Sequence, residues 1–197
     1  MAWNKYYIFI QSPGLTDLAE ALSKLNLGHY RPVKQVALHL SNKPETLFAG
    51  LYNGCLLLVH PDLPFQFFTD EQSETEKTFI REFPDAEIAA LLENSTVDLF
   101  GFAVIEKGKK IRMKDGCDGE IFHEEGEPLP EELESLSEAM QEMGEELREE
   151  GLSEEEIKNE VAFEAAWRVP NLLSKRYLGE YAGAIDTEKV QLTMYEA

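Results

Sequence analysis

Cysteine is scarce in this chain: Cys55 and Cys117 are the two in 197 residues. They share no CxxC or paired spacing, so neither a disulfide framework nor a zinc knuckle is indicated. Basic residues are also few, 18 Lys and Arg against 38 Asp and Glu, for a formal charge of -20. That sign repels phosphate backbones and anionic lipid surfaces, so no direct nucleic acid or membrane partner is expected. Long apolar runs are missing as well. None approaches the roughly 18 residues that a membrane span needs, and the stretch from Met1 to Gln11, apolar only from Tyr6 to Ile10, lacks the hydrophobic region and cleavage site of a signal peptide. A reducing, cytoplasmic setting is the simplest reading. Finally, there is no GxGxxG, Walker loop, GxSxG elbow or HExxH pair. No cofactor or metal is therefore expected, and an enzyme has no positive support.

Apolar residues at 43% and charged residues at 28% are those of a chain that folds. Its length suits one domain over 1–197. Tyr6 to Ile10 reads as a strand, followed by a Ser12-Pro13-Gly14 turn and a helix through Leu15, Leu18, Leu22 and Leu25. Val33 to Ser41 has the alternation of a strand. The clearest local signal is Asn53-Gly54 between apolar runs, which supplies the positive φ angles of a type I′ hairpin. That turn pairs Tyr52 with Cys55, Leu51 with Leu56, Ala49 with Leu58 and Phe48 with Val59, and leaves both faces of the hairpin apolar. Such a hairpin must be covered twice, by helices, a second sheet or a second subunit, which makes a homodimer one expectation.

After a Pro- and Phe-rich loop at Pro61 to Thr69, Ser73 and Glu76 form a capping box that opens a helix through Phe79, Ile80 and Phe83. A shorter helix through Ile88, Leu91 and Leu92 is expected next. Thr96 to Lys114 reads as a second hairpin turning at Lys107-Gly108, with Phe102 opposite Met113, Val104 opposite Ile111, and a half-exposed second face. Glu120 to His123 is a short strand. Beyond Gly126 to Pro130, the residues Leu133, Leu136, Met140, Met143 and Leu147 recur at intervals of 3, 4, 3 and 4, one stripe expected to pack on the core. Ser153 caps a further helix, Pro170 is expected to end it and start another through Leu173 and Tyr177, and Val190 to Tyr195 closes the chain as a strand. The fold class is α+β: a mainly antiparallel sheet of about six to eight strands with packed helices, and long acidic helices near the C-terminus over 130–168. Leu51, Leu56, Leu57, Leu58, Phe102 and Val104 are expected to be buried.

The segment Asp98-Leu99-Phe100-Gly101-Phe102-Ala103-Val104-Ile105-Glu106-Lys107-Gly108, then Arg112, then Gly126-Glu127-Pro128-Leu129-Pro130 resembles a pattern in a family of uncharacterised bacterial cytoplasmic proteins. Met113 to Cys117 stand where that pattern has a serine-rich stretch. The resemblance implies a bacterial cytoplasmic protein and brings no activity or functional residue.

Charge supplies the functional expectation. Glu120 to Glu160 holds 17 acidic and two basic residues, a net of -15, leaving -5 for the rest of the chain. Glu134/Glu138, Glu138/Glu142, Glu142/Glu146, Glu145/Glu149 and Glu146/Glu150 are like-charged neighbours one turn apart, each costing about 0.2–0.5 kcal/mol in an isolated helix. Two readings follow. One is a solubilising outer face. The other is a surface for a basic protein partner, bound or neutralised as by an immunity or regulatory protein, with Glu142, Glu146, Glu149 and Glu150 as its contact residues. The alternative function is an enzyme or small-ligand binder whose pocket is lined by Pro61 to Thr69 and the Asp115 to Gly119 turn. That turn has too few oxygen ligands for a calcium loop, and a looser set of Cys117, Asp118, His123 and Glu124 has no recognised ligand spacing.

Overall fold

The structure, a computed structural model, describes residues 4–12, 15–41, 43–182, 188 and 190–197. Its strands are β1 (Asn4–Gln11), β2 (Arg31–Ala37), β3 (Thr46–Tyr52), β4 (Cys55–Val59), β5 (Glu87–Asn94), β6 (Leu99–Glu106), β7 (Lys109–Cys117), β8 (Glu120–Gly126) and β9 (Gln191–Glu196). The helices are α1 (Leu18–Lys24), α2 (Glu74–Glu82), α3 (Pro130–Glu149) and α4 (Glu154–Leu178). All nine strands form one antiparallel sheet in the order β2-β9-β3-β4-β1-β5-β6-β7-β8. Pro13 and Gly14 of the expected first turn lie outside the described residues.

The sheet is buried on both sides. Phe9, Phe48, Leu57, Phe102 and Val104 point to α4, where they meet Val169, Leu173 and Tyr177. Ile8, Leu47, Leu56, Leu58 and Ile88 point to the opposite layer, built from Leu22 and Leu25 at the end of α1, Phe79 of α2, and Phe67 in a 3-10 turn at Pro64–Phe67. Two helical layers thus sandwich the sheet, the arrangement that a strand pair apolar on both faces demands. Because one chain covers both faces of β3 and β4, the hairpin supplies no motive for a dimer.

The first hairpin has the register expected from Asn53-Gly54, including Tyr52 against Cys55 and Phe48 against Val59. Asn53 and Gly54 take φ of 52° and 75°. Five of the six residues expected to be buried are so, but Leu51 is 37% exposed, since it lies beside the turn, at the end of the helical cover.

Four expectations are corrected. Residues 87–94 form β5, not a short helix, which raises the strand count to nine. Its Ala, Leu and Glu favour a helix, yet β5 pairs along eight positions with β1 and eight with β6, and that pairing with burial on both faces outweighs propensity. The β6–β7 hairpin turns at Lys107-Gly108, but a bulge between Val104 and Ile105 sets Val104 opposite Arg112 and Ala103 opposite Met113. The extra residue shifts the register by one beyond the bulge. Far from half-exposed, Phe100 to Ile105 are buried, because β6 is interior to the sheet. Third, the strand from Val33 stops at Ala37, and Leu38–Leu40 is a 3-10 turn. Fourth, α4 runs through Pro170 without ending. Proline has no N–H for the Ala166 carbonyl, a loss that the burial of Pro170 and its neighbours Val169 and Leu173 offsets.

Candidate functional site

The C-terminal helices pair as an antiparallel arm. Pro130 occupies the first turn of α3, and Glu132 Oε1 accepts the Leu129 N–H at 2.9 Å, closing the helix start. Arg112, 2% exposed, anchors that start to the sheet. Its Nε donates to Glu132 Oε1 at 2.7 Å, and its Nη2 donates to Glu132 Oε2 at 2.6 Å and to Glu124 at 2.7 Å. Nη1 donates to the carbonyls of Gly126 at 2.8 Å and Glu125 at 3.3 Å, so all five guanidinium N–H groups are matched. A side chain at Gly126, where φ is 84°, would run into the Ile111 carbonyl, so the exit of the chain from β8 depends on glycine. Glu131 and Glu87 hold Arg176 of α4 at 2.7–3.0 Å.

Farther out, the arm packs only on itself. Ala139, Met143 and Leu147 of α3 meet Ile157, Val161 and Ala165 of α4, with Leu152 of the connection, in an apolar cluster to which no strand contributes. Ser135 Oγ donates to the Ala165 carbonyl at 2.9 Å, stitching the helices where the arm leaves the sheet.

This packing overturns the expected orientation of the Leu and Met stripe. The buried side of α3 is Glu132, Ser135, Ala139 and Gly144, while Leu133, Leu136 and Met140 are 59%, 40% and 37% exposed. The small residues Ser135 and Ala139 let the two helices approach closely, and of the stripe only Met143 and Leu147 are drawn into the contact.

Glu142, Glu146, Glu149 and Glu150 are all exposed, on the last two turns of α3 and its C-cap. Glu142 accepts from Arg168 of α4 at 2.8 Å, whereas the side chains of Glu146, Glu149 and Glu150 have no ion pair with a described residue. From Glu138 to Glu160, ten carboxylates and two basic residues are exposed. Arg148 pairs with Glu154 at 3.0 Å.

A second feature was invisible in sequence. An open cleft of about 500 Å3 is lined by Lys5, Glu93, Ser95, Trp167, Arg168, Asn171, Leu172 and Tyr181. Lys5 and Glu93 pair across β1 and β5 at 3.1 Å, and Asn171 Oδ1 is buried with no hydrogen-bond partner among the described residues. No residue of 61–69 or 115–119 lines it. Asp115 instead faces His123, whose Nδ1 lies 2.8 Å from it and whose Nε2 lies 3.8 Å from Asp70. Burial raises the Asp115 carboxyl above its ordinary range, and His123 opposes that rise.

The remaining reactive side chains are occupied. Cys117 Sγ donates to the Val97 carbonyl, and Glu124 is held by Arg112 and Lys114, so the looser metal set is dispersed. Among the described residues no group of three His, Cys, Asp or Glu is arranged to hold a metal ion. His39 lies in the 3-10 turn after β2, and His60 just past β4. His60 Nδ1 accepts the N–H groups of Asp62 and Leu63, and burial lowers its pKa. The buried Cys55 thiol is pushed up to about 12 by burial, which keeps it from acting as a thiolate. No described helix is long and apolar enough to cross a membrane.

Residues 16–142 match a family of unknown function, DUF6928. The chain belongs to that family. The DUF6928 match encloses 98–130, the segment whose resemblance was noted, and carries no activity, organism or compartment. It contains the Arg112 anchor and most of α3, but Lys5 and the cleft residues of α4 fall outside it. No curated protein and no solved structure matches the chain.

Proposed function

We propose that this DUF6928 member is an interaction module whose helical arm binds or neutralises a basic protein partner. One observation carries the reading: the outer half of the arm buries its apolar residues only within itself and presents ten carboxylates against two basic groups. A helix pair needed only to cover the sheet would not extend past it. Nor would it accumulate like charges along α3, which weaken the helix. Replacing Glu142, Glu146, Glu149 and Glu150 together by Gln should lower affinity for a cationic protein probe such as lysozyme at least tenfold, while helix content is kept or slightly raised. Wild-type binding should weaken steeply towards 1 M salt, where the Debye length is about 3 Å. Equal binding by the wild type and the four-Gln variant in titration calorimetry would remove the proposal.

A second reading, a small-ligand binder, is favoured by the cleft at Trp167 and Tyr181, where the Asn171 oxygen has no partner among the described residues. Ligand-observed NMR with small aromatic amides should then detect binding that Trp167→Leu abolishes. If no fragment responds to that substitution, the cleft is only a surface depression.

A further inference from the structure

The exposed ridge on α3 does not stand alone. Leu133 and Leu136 form one wall of a groove of about 120 Å3 whose other wall is Ala162, Ala165 and Ala166 of α4, with Pro128 at one end. For scale, a cavity of about 150 Å3 holds a benzene molecule, so the groove, somewhat smaller, has room for one aliphatic side chain. The paired Arg112, Lys114, Glu124 and Glu132 lie at its base. Met140 continues the ridge one turn beyond Leu136, giving apolar residues at i, i+3 and i+7. The wall on α4 is three alanines with Val169 beside them, and the short alanine side chains leave the space open.

Charge decides what fits. Glu134 and Glu138 are interleaved with the ridge residues, and Glu125 and Glu127 on the approach to α3 are likewise exposed. A second copy of this chain docked ridge to ridge would bring carboxylates against carboxylates, a juxtaposition that disfavours association. A segment with an apolar stripe flanked by Lys and Arg meets both demands. Building on the proposed interaction role of the arm, we infer that the groove between α3 and α4 receives a basic amphipathic helix. Its apolar ridge lies along Leu133, Leu136 and Met140, and one aliphatic side chain enters the pocket beside the alanines. The acidic end of the arm attracts the partner, and the groove selects its side-chain order.

Fluorescence anisotropy tests this with a labelled Lys/Leu peptide of about 18 residues in amphipathic order and a scrambled peptide of the same composition. Wild-type protein should bind the ordered peptide at least tenfold more tightly than the scrambled one. The variant L133Q/L136Q/M140Q, whose three sites are solvent-exposed and whose folding is checked by circular dichroism, should lose that preference but keep the salt-dependent component. The four-Gln variant should lose part of the salt-dependent component, the rest staying with Glu134 and Glu138, and keep the preference. If both peptides bind equally and the triple variant behaves as wild type, the groove inference is overturned and the acidic reading survives. Absence of binding by either peptide at about 100 µM overturns both. A wild-type dimer in light scattering that the triple variant abolishes would assign the groove to a second copy and overturn the inference.

Discussion

Arg112→Met is expected to lower the free energy of unfolding by about 3–5 kcal/mol, the range for removing one partner from a buried ion pair. The substitution leaves Glu132, 9% exposed, with a carboxylate that no cation compensates, and deprives the Gly126 and Glu125 carbonyls of their donor. Methionine fills much of the volume, so the loss comes from electrostatics and hydrogen bonding, not from a cavity. The double variant Arg112→Met/Glu132→Met removes both charges and should recover part of the loss, the share owed to the uncompensated carboxylate, while the Gly126 and Glu125 carbonyls and the Leu129 N–H stay without these partners. Urea unfolding followed by circular dichroism measures both. A single-variant loss below about 1 kcal/mol would mean that Arg112 does not anchor the arm as the distances indicate. Arg112 is itself shifted upward: burial opposes its charge, and the hydrogen bonds to Glu132 and Glu124 outweigh that opposition.

Phe9→Ala is expected to cost about 3–5 kcal/mol, the range for truncating a fully buried aromatic residue. Phe9 is wholly buried on β1, between β4 and β5, and its ring stacks on Tyr177 of α4 at 4.8 Å and 13°. Tyr177 in turn donates to Glu87, which also accepts from Arg176. The lost ring therefore opens the place where the sheet, α4 and the Glu87 cluster meet. Because the cavity is enclosed, its neighbours collapse only partly. Phe9→Leu should cost distinctly less. A Phe9→Ala loss below about 1.5 kcal/mol in thermal and urea unfolding would show that α4 does not depend on this contact.

Local chemistry made several elements readable. Asn53-Gly54 and Lys107-Gly108 placed both turns because few residue pairs accept two consecutive positive φ angles. The Ser73 and Ser153 caps marked helix starts through hydroxyls that accept the third residue's N–H, at 3.0 and 3.3 Å. Where local chemistry was ambiguous, the reading failed. Ile88 to Leu92 is apolar at every position, which suits a short helix or a strand covered twice, and β1 decides by pairing with it from about 80 residues away. The bulge after Val104 leaves no comparable mark in sequence, and it places Arg112 on the face where Glu132 can reach it.

The candidate surface divides along the same line. Its charge was legible because counting Glu residues needs no coordinates. Its apolar part was not, because a stripe at helical spacing states only that residues share a side, not which side is covered. Ser135 and Ala139 won the contact with α4, and Leu133, Leu136 and Met140 stayed in solvent. The cleft at Trp167 joins Lys5 and Glu93 on two strands to residues of α4 far along the chain, a juxtaposition no local pattern announces.

By itself the sequence determined the α+β class, the antiparallel hairpins, the need to cover both faces of β3 and β4, and the concentration of charge near the C-terminus. Each depends on residue type and near-neighbour spacing, which act within a few residues. Only the tertiary structure decided that the N-terminal strand lies inside the sheet, that α4 passes through Pro170, and that the apolar ridge of α3 faces outward. These outcomes depend on which distant surfaces compete for the same apolar and hydrogen-bonding groups. That competition is resolved by burial and close packing across the whole chain, where pairing between remote segments can outweigh a local preference of a few tenths to about 1 kcal/mol per residue.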